Sequence, residues 1–552
     1  MREFTNCSGS AVRVWLCLLG CVLWQPGMAM DQGGMAGTVR AEIQARVAGP
    51  KPVVLRGRVA PLAADALRSF YSQRGYAPAW NAGGKLESRS RTLISIIRAS
   101  RKQGLTPATY HERSIERVLA TPYGRDSAAR KADVDLLLSD ALFGYASDLL
   151  YGRAGRSDLK DSAIDAPENI DLVKLVGKTL ASGDLRALVR SLAPAPAAYK
   201  RLQGALTRLR SLERAEVPLR LPERTLHPGD SGGEVAALRR RLALLGDLPA
   251  ARNDGSGVVD PPLVSAVEHF QSRHGLEADG VVGPETRAAL EVPISKRILQ
   301  VELNMERWRW LPRDPGDRYL IVNVGGQELD AVENDRRTLH MRVIVGRPFQ
   351  KTPSFASKIT TVVLNPYWEV PHSIAVNEIL PTVRRDPGYL DREYMQVLKA
   401  PGGGTVDPAT INWSKVPARG FPYRFRQDPG PDNALGRIKF LFPNRYNVYL
   451  HDTPAKTLFS HARRCFSHGC VRLEKPFELA DLLLHDEPGW SLERVDKTLD
   501  TEQNFRMQLT RPMPVYLVYW TAWVDAGGTI EFRHDVYGRD GRLESALQPP
   551  PS

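Results

Sequence analysis

The chain has 552 residues, 42% of them hydrophobic and 25% charged, and 75 Lys and Arg against 62 Asp and Glu give a formal net charge of +13. That length exceeds what one hydrophobic core ordinarily organises, so several domains are expected, and the composition excludes a disordered, collagenous or disulfide-rich chain. The excess of positive charge is either a solvated face or an attraction to polyanions, but no basic stripe interleaved with aromatics and no zinc-finger spacing speaks for nucleic acid.

At the start, Arg2 and Arg13 precede an apolar run over 14–24, and Gly27-Met28-Ala29 is a small-x-small site. This is the layout of a secretory signal over residues 1–29, with a run too short to span a bilayer comfortably. The alternatives are an uncleaved inner-membrane anchor and a lipoprotein box at Leu18-Leu19-Gly20-Cys21, against which the apolar Val22-Leu23-Trp24 argues. Signal removal takes Cys7, Cys17 and Cys21 away and leaves Cys465 and Cys470, too few for a disulfide framework. Residues 30–60, small and polar, read as a linker. Residues 61–222 read as helices: Leu62, Leu67, Phe70 and Tyr71 recur at helical spacing, Leu93, Ile94, Ile96 and Ile97 continue in another helix that stops near Gly104, and 134–150 is a further amphipathic run.

Residues 226–293 carry their own punctuation. Pro228-Gly229-Asp230 opens the unit, Val235, Leu238, Leu242 and Leu245 mark a helical face, Asn253-Asp254-Gly255 turns the chain, and Val264, Val267 and Phe270 mark a second helix. After a helix over 298–311 the pattern changes to short strands at 319–324, 339–345, 360–364, 446–451, 514–520 and 530–532. The expected class is therefore α+β and multidomain, with a mostly β domain over 296–540 and a tail over 541–552. Within that domain, 373–435 begins with a helical pattern and then becomes rich in Gly and Pro, as in Pro401-Gly402-Gly403-Gly404 and Asp428-Pro429-Gly430-Pro431. An irregular insertion of this length reads as a mobile lid or binding loop.

The chemistry concentrates in Tyr449-Leu450-His451-Asp452 and, fifteen residues after His451, Ser467-His468-Gly469-Cys470-Val471-Arg472. A cysteine is only a few per cent thiolate at neutral pH and needs a base to become a working nucleophile. His451 supplies that base if the chain folds back to bring it beside Cys470. Gly469 leaves room for backbone N–H groups, its own and that of Cys470, to face a substrate oxygen, which completes the parts for cysteine acyl transfer. Tyr449 lies two residues before His451 and shares its face on a strand. Asp452 or a backbone carbonyl orients His451. Arg472 either holds a substrate carboxylate or locks the loop, and His468 either bonds within the site or shapes the loop. Cys465 reads as an inert thiol or as a bridge partner for Cys470.

This motif closely resembles the signature of the L,D-transpeptidases with a YkuD-type catalytic domain, cysteine enzymes that cross-link bacterial peptidoglycan. Phe70-Tyr71-x-x-Arg74-x-Tyr76-x-x-x-Trp80, Gly104-Leu105-x-Pro107-x-x-Tyr110-His111 and the run 135–141 with Gly152-Arg153 resemble the helical scaffold domain of the large periplasmic members of that family. Gly275-Leu276-x-x-Asp279-Gly280-Val281-Val282-Gly283-Pro284-x-Thr286 makes 226–293 similar to peptidoglycan-binding domain 1, a three-helix module. The resemblance implies peptidoglycan stem peptides as donor and acceptor, 3→3 cross-links, wall binding through 226–293, a periplasmic location, acylation by carbapenem β-lactams, and no cofactor. It also implies that the insertion caps the site and that Tyr367 and Trp368, in Asn365-Pro366-Tyr367-Trp368-Glu369, lie near the cleft.

On the same site, water as acceptor gives an L,D-carboxypeptidase and a free D-amino acid gives an exchange enzyme. A rival reading ligates zinc through His451, His468 and Cys470, although no further ligand motif accompanies them. A second rival is a non-enzymatic wall-binding scaffold, against which the intact His and Cys pair argues.

Overall fold

The computed structural model describes residues 32–49, 53, 55, 60–80, 86–120, 127–154, 162–163 and 170–548. The signal expected over 1–29 lies outside them. The chain is α+β, a helical region leading through a small three-helix unit into a β barrel.

The first helix, Gln32–Val47, occupies most of what composition reads as linker. Val39, Ile43 and Val47 recur every four residues along it and are buried against the long helix Ala128–Tyr151. That long helix is the spine of the helical region. It buries Asp135, whose carboxylate accepts from Tyr71 Oη (2.6 Å) and from the backbone N–H of Ala79 (2.8 Å) and Trp80 (3.0 Å). The motif aromatics of this region therefore close a buried polar knot, which rigidifies only because every member is satisfied.

Helices Gly233–Leu245, Pro261–Arg273 and Pro284–Glu291 form the three-helix unit around Val235, Leu238, Leu242, Val267 and Phe270. Gln271 stitches its last loop, donating to the Val281 carbonyl (2.9 Å) and accepting from the Gly280 N–H (2.9 Å). Helix Ile294–Trp308 then leads to the barrel. At its end Trp308 stacks on Trp520 with centroids 4.4 Å apart, Arg307 pairs with Asp540 (2.6 Å), and Arg309, just past the helix, pairs with Glu306 (2.8 Å).

The barrel is a ten-stranded sheet. It closes because Phe505–Val518 pairs parallel with Arg318–Asn323 and also antiparallel with Ser354–Leu364. Period-two alternation sets its two faces: Leu320, Val322, Val515 and Leu517 point inward, while Tyr319, Tyr516 and Val518 meet the helices outside. Of the run expected as strand over 446–451, only Leu450–His451 is strand, because Asn447 takes a left-handed φ of 55° and breaks the extended backbone. The expected tail begins inside a helix, Arg539–Leu547, which buries Leu543.

The insertion is more ordered than its Gly and Pro content suggests. Trp368–Glu369, Met395–Lys399, Thr405–Val406 and Tyr423–Gln427 make a separate four-stranded sheet. Ile374, Leu380, Val383, Val397, Trp413 and Phe425 give it a core of its own. Among the described residues no helix is long and apolar enough to cross a membrane.

Candidate active site

Strand pairing brings the sequence-predicted residues onto one face. Leu450 pairs parallel with Val471, and both are buried in the barrel core. Their chain neighbours Tyr449, His451, Cys470 and Arg472 therefore point the other way. On the far side, Phe440 pairs with Leu450 and Lys439 with His451, so Lys439 joins the same face. His451 lies opposite Arg472 and diagonal to Cys470 across strands ordinarily about 4.8 Å apart. The Tyr449 carbonyl accepts from the Val471 N–H (3.1 Å), which closes the parallel pair just past Cys470.

The loop before Cys470 is held from several directions. Ser467 Oγ donates to the Cys470 carbonyl (2.5 Å) and accepts from the Gly469 N–H (3.1 Å). Thr352 Oγ donates to the Gly469 carbonyl (2.9 Å) and accepts from the Gly346 N–H (2.9 Å), and Tyr537 Oη donates to the Gly346 carbonyl (2.5 Å). Gly469 itself sits at φ +119°, a region L residues rarely adopt. Its N–H, expected to face a substrate oxygen, is committed to Ser467 instead. The loop donors left without a partner among the described residues are the His468 and Cys470 N–H groups.

His451 Nδ1 lies 2.6 Å from the Asp452 carbonyl and donates to it, and the ring also meets the Leu435 carbonyl; with Nδ1 protonated, the basic nitrogen is Nε2. The Asp452 carboxylate plays another part, accepting from the Arg437 N–H (2.9 Å) and Lys456 Nζ (2.6 Å). Of the two orienters open to sequence, the backbone carbonyl is the one used. Burial first, then the nearby Arg472 and Lys439 charges, push the His451 pKa down to about 3. The sign follows: between about pH 6.5 and 3 the unfolded imidazole binds a proton that the folded one refuses, so His451 costs the fold stability as pH falls through that window.

Cys470 is half-buried and unbridged, and its Sγ donates to the Asn447 carbonyl at 3.8 Å. No hydrogen bond joins it to His451 in this resting arrangement. Burial pushes the thiol pKa up, and the Tyr449 N–H, Lys439, the Tyr449 hydroxyl and Arg472 only partly oppose it. The resting pair is thus a neutral thiol beside a neutral imidazole, not a preformed thiolate and imidazolium. Alkylation of Cys470 by iodoacetamide, followed by peptide mass mapping against pH, is expected to rise with a midpoint above the ordinary thiol value of about 8.5. A midpoint below neutrality would establish the ion pair instead.

His468 turns toward the insertion, where its Nε2 meets Glu378 Oε1 at 2.5 Å. This contact ties the nucleophile loop to the turn Ala375–Ile379. Tyr367 lies under the Arg426 guanidinium, and Trp368 packs on the insertion core, so their contacts are with the insertion, not with the nucleophile. Cys465 is also free, and its sulfur accepts from Gln327 Nε2 (3.3 Å). Among the described residues no three His, Cys, Asp or Glu side chains gather as metal ligands. Thr352, Tyr537 and Glu378 escape a reading of the motif because each arrives from a distant part of the chain, and Lys439 escapes it because only strand register sets it opposite His451.

Comparison with known families places an L,D-transpeptidase catalytic domain at residues 317–497, a "Putative peptidoglycan binding domain" at 231–290 and a scaffold domain at 65–206. A Haemophilus influenzae protein described as "Putative L,D-transpeptidase" is 35% identical over 258 residues, covering 46% of this chain and 51% of that protein. The chain thus spans about half the length of this curated relative. A solved L,D-transpeptidase from Xylanimonas cellulosilytica aligns at 18% identity over 54% of this chain and 99% of its own, with a TM-score of 0.17. One from Mycobacterium smegmatis aligns at 12% identity over 36% of this chain and 58% of its own, also with a TM-score of 0.17. At these TM-scores neither likeness bears on the site.

Proposed function

We propose, from the L,D-transpeptidase catalytic domain that residues 317–497 form, that this chain is a cysteine acyltransferase that cross-links peptidoglycan stem peptides. The observation that carries the reading is the shared face of His451, on one strand, and Cys470, immediately before the strand paired with it, in a loop with two unpartnered N–H groups among the described residues. The donor is a tetrapeptide stem. Substrate binding turns Sγ away from the Asn447 carbonyl toward the attacked carbon, the carbonyl of the third residue, meso-diaminopimelate. As the C–S bond forms, His451 Nε2 takes the thiol proton. The carbonyl electron pair moves onto oxygen, which accepts from the Cys470 and His468 N–H groups. Collapse breaks the C–N bond, and His451 returns its proton to the leaving D-alanine amine. A thioester remains. The side-chain amine of a second stem attacks it, gives its proton to His451 and expels sulfur, which recovers that proton. One amide is broken, one is formed, and D-alanine is released.

Tyr449 lines this pocket and Arg472 stands across from the base. The 226–293 unit holds the chain on the wall, and the enzyme works in the periplasm, where its polymer substrate lies. A carbapenem acylates the same sulfur. Chromatography with mass detection of products from a disaccharide tetrapeptide tests the acceptor. A 3→3 linked dimer with release of D-alanine is expected. A disaccharide tripeptide without dimer would make the enzyme a carboxypeptidase, and D-amino-acid incorporation alone would make it an exchange enzyme.

A further inference from the structure

Two cations flank the base, and neither has an acid. Lys439 is the register partner of His451 on one side and Arg472 on the other. Both are half-buried and share the face of Cys470. The Lys439 ammonium lies 3.7 Å from the centroid of the Tyr449 ring. Among the described residues that ammonium enters no ion pair or hydrogen bond, and neither does the Arg472 guanidinium, whose Nε is fully buried. The charged groups acting on Lys439 are Cys470, Arg506 and Glu369, and those acting on Arg472 are Arg347 and Cys470. Glu369, the one carboxylate among them, lies 3.6 Å from Arg424.

Elsewhere buried arginines of this chain have partners: Arg241 pairs with Glu216 (2.6 Å), Arg307 with Asp540 (2.6 Å) and Arg309 with Glu306 (2.8 Å), while Arg464 donates to the Val343, His461 and Gln327 carbonyls. Withdrawing a cation from water without a counter-charge is costly. Lys439 and Arg472, beside Cys470, have neither a carboxylate nor a carbonyl partner among the described residues.

We propose that Lys439 and Arg472 bind the terminal carboxylate of the donor residue that leaves. This rests on the reading that Cys470 attacks the third residue of a tetrapeptide. In such a donor the free carboxylate is three bonds from the attacked carbon, close enough for cations flanking the site to reach it. In a stem one residue longer, a neutral amide occupies that place. The pair therefore selects stems that end one residue past the scissile bond, and it aligns the attacked carbonyl by gripping the far side of the bond.

The test uses the full chain carrying Cys470→Ala, which removes the chemistry and leaves binding. Calorimetric titration compares a disaccharide tetrapeptide with its C-terminal carboxamide and with the disaccharide pentapeptide. The amide and the pentapeptide are expected to bind about 10–100-fold more weakly than the acid, the range of a charge-assisted hydrogen bond. Adding Lys439→Met should weaken the acid about tenfold and the amide less than twofold, while Lys439→Arg restores most of the loss. Equal affinity for acid and amide, an equal loss for both on Lys439→Met, or no binding of the acid at millimolar concentration overturns the proposal. Thioester formation by the wild-type chain is measured separately, so failure of the acyl-transfer reading shows there and not in the binding arms.

Discussion

Replacing His451 with Gln is expected to slow thioester formation on Cys470 by about 10²–10⁴-fold, the usual contribution of a positioned base. The reasoning is electrostatic. The thiol is held protonated by burial, so little thiolate exists before substrate arrives. The neighbouring cations and the Tyr449 donors do not reverse that. Something must accept the proton during attack, and on the proposed mechanism it is Nε2, the unprotonated nitrogen of a ring anchored at Nδ1. A Gln side chain preserves the anchor to the Asp452 carbonyl but offers no base. The loss should shrink as pH rises toward the thiol pKa, because hydroxide then does the work of the imidazole. Stopped-flow acylation by a chromogenic β-lactam across pH measures this. A loss below tenfold at neutral pH would remove His451 from the proton path.

Gly469→Ala is the second large effect. At φ +119° an alanine is strained by about 1–3 kcal/mol, although its Cβ would find only ordinary contacts, with the Gln350 and Lys351 carbonyls at 3.8 Å. The strain is relieved by rotating the loop, and the loop carries the Cys470 N–H. Misplacing one donor to a developing oxyanion costs about 10²–10³ in kcat. Barrel stability should change little, since the core strands are untouched. A normal thermal transition with acylation reduced a hundredfold is the expected pair of results. Near-normal acylation would show that the loop N–H groups do not bear the charge.

The candidate pair Cys470 and His451 was legible because both lie in a short motif whose spacing survives in one dimension. The shared face of Tyr449 and His451 was legible for the wrong local reason. The run is too broken at Asn447 to be one strand, yet the two rings still meet, with centroids 5.6 Å apart. Lys439 was not legible, because it reaches His451 only through cross-strand register. Thr352 and Tyr537 brace the loop from positions 117 residues before Gly469 and 191 residues after Gly346. No local pattern announces them. The strand Glu328–Glu333 was missed because three of its six residues are acidic, and it is held by partners on both sides. The helix Gln32–Val47 escapes a composition reading because a few spaced apolar residues stand among small and polar ones, and only the spine helix beside them makes that stripe count.

The most direct test is the intact mass of the full chain after incubation with a purified disaccharide tetrapeptide, compared with Cys470→Ala. The account predicts a covalent adduct equal to the donor less D-alanine on the wild type, lost on mild hydroxylamine treatment and absent from the variant. A wild-type chain that turns over the tetrapeptide without any such adduct, or a Cys470→Ala chain that still releases D-alanine, would contradict it.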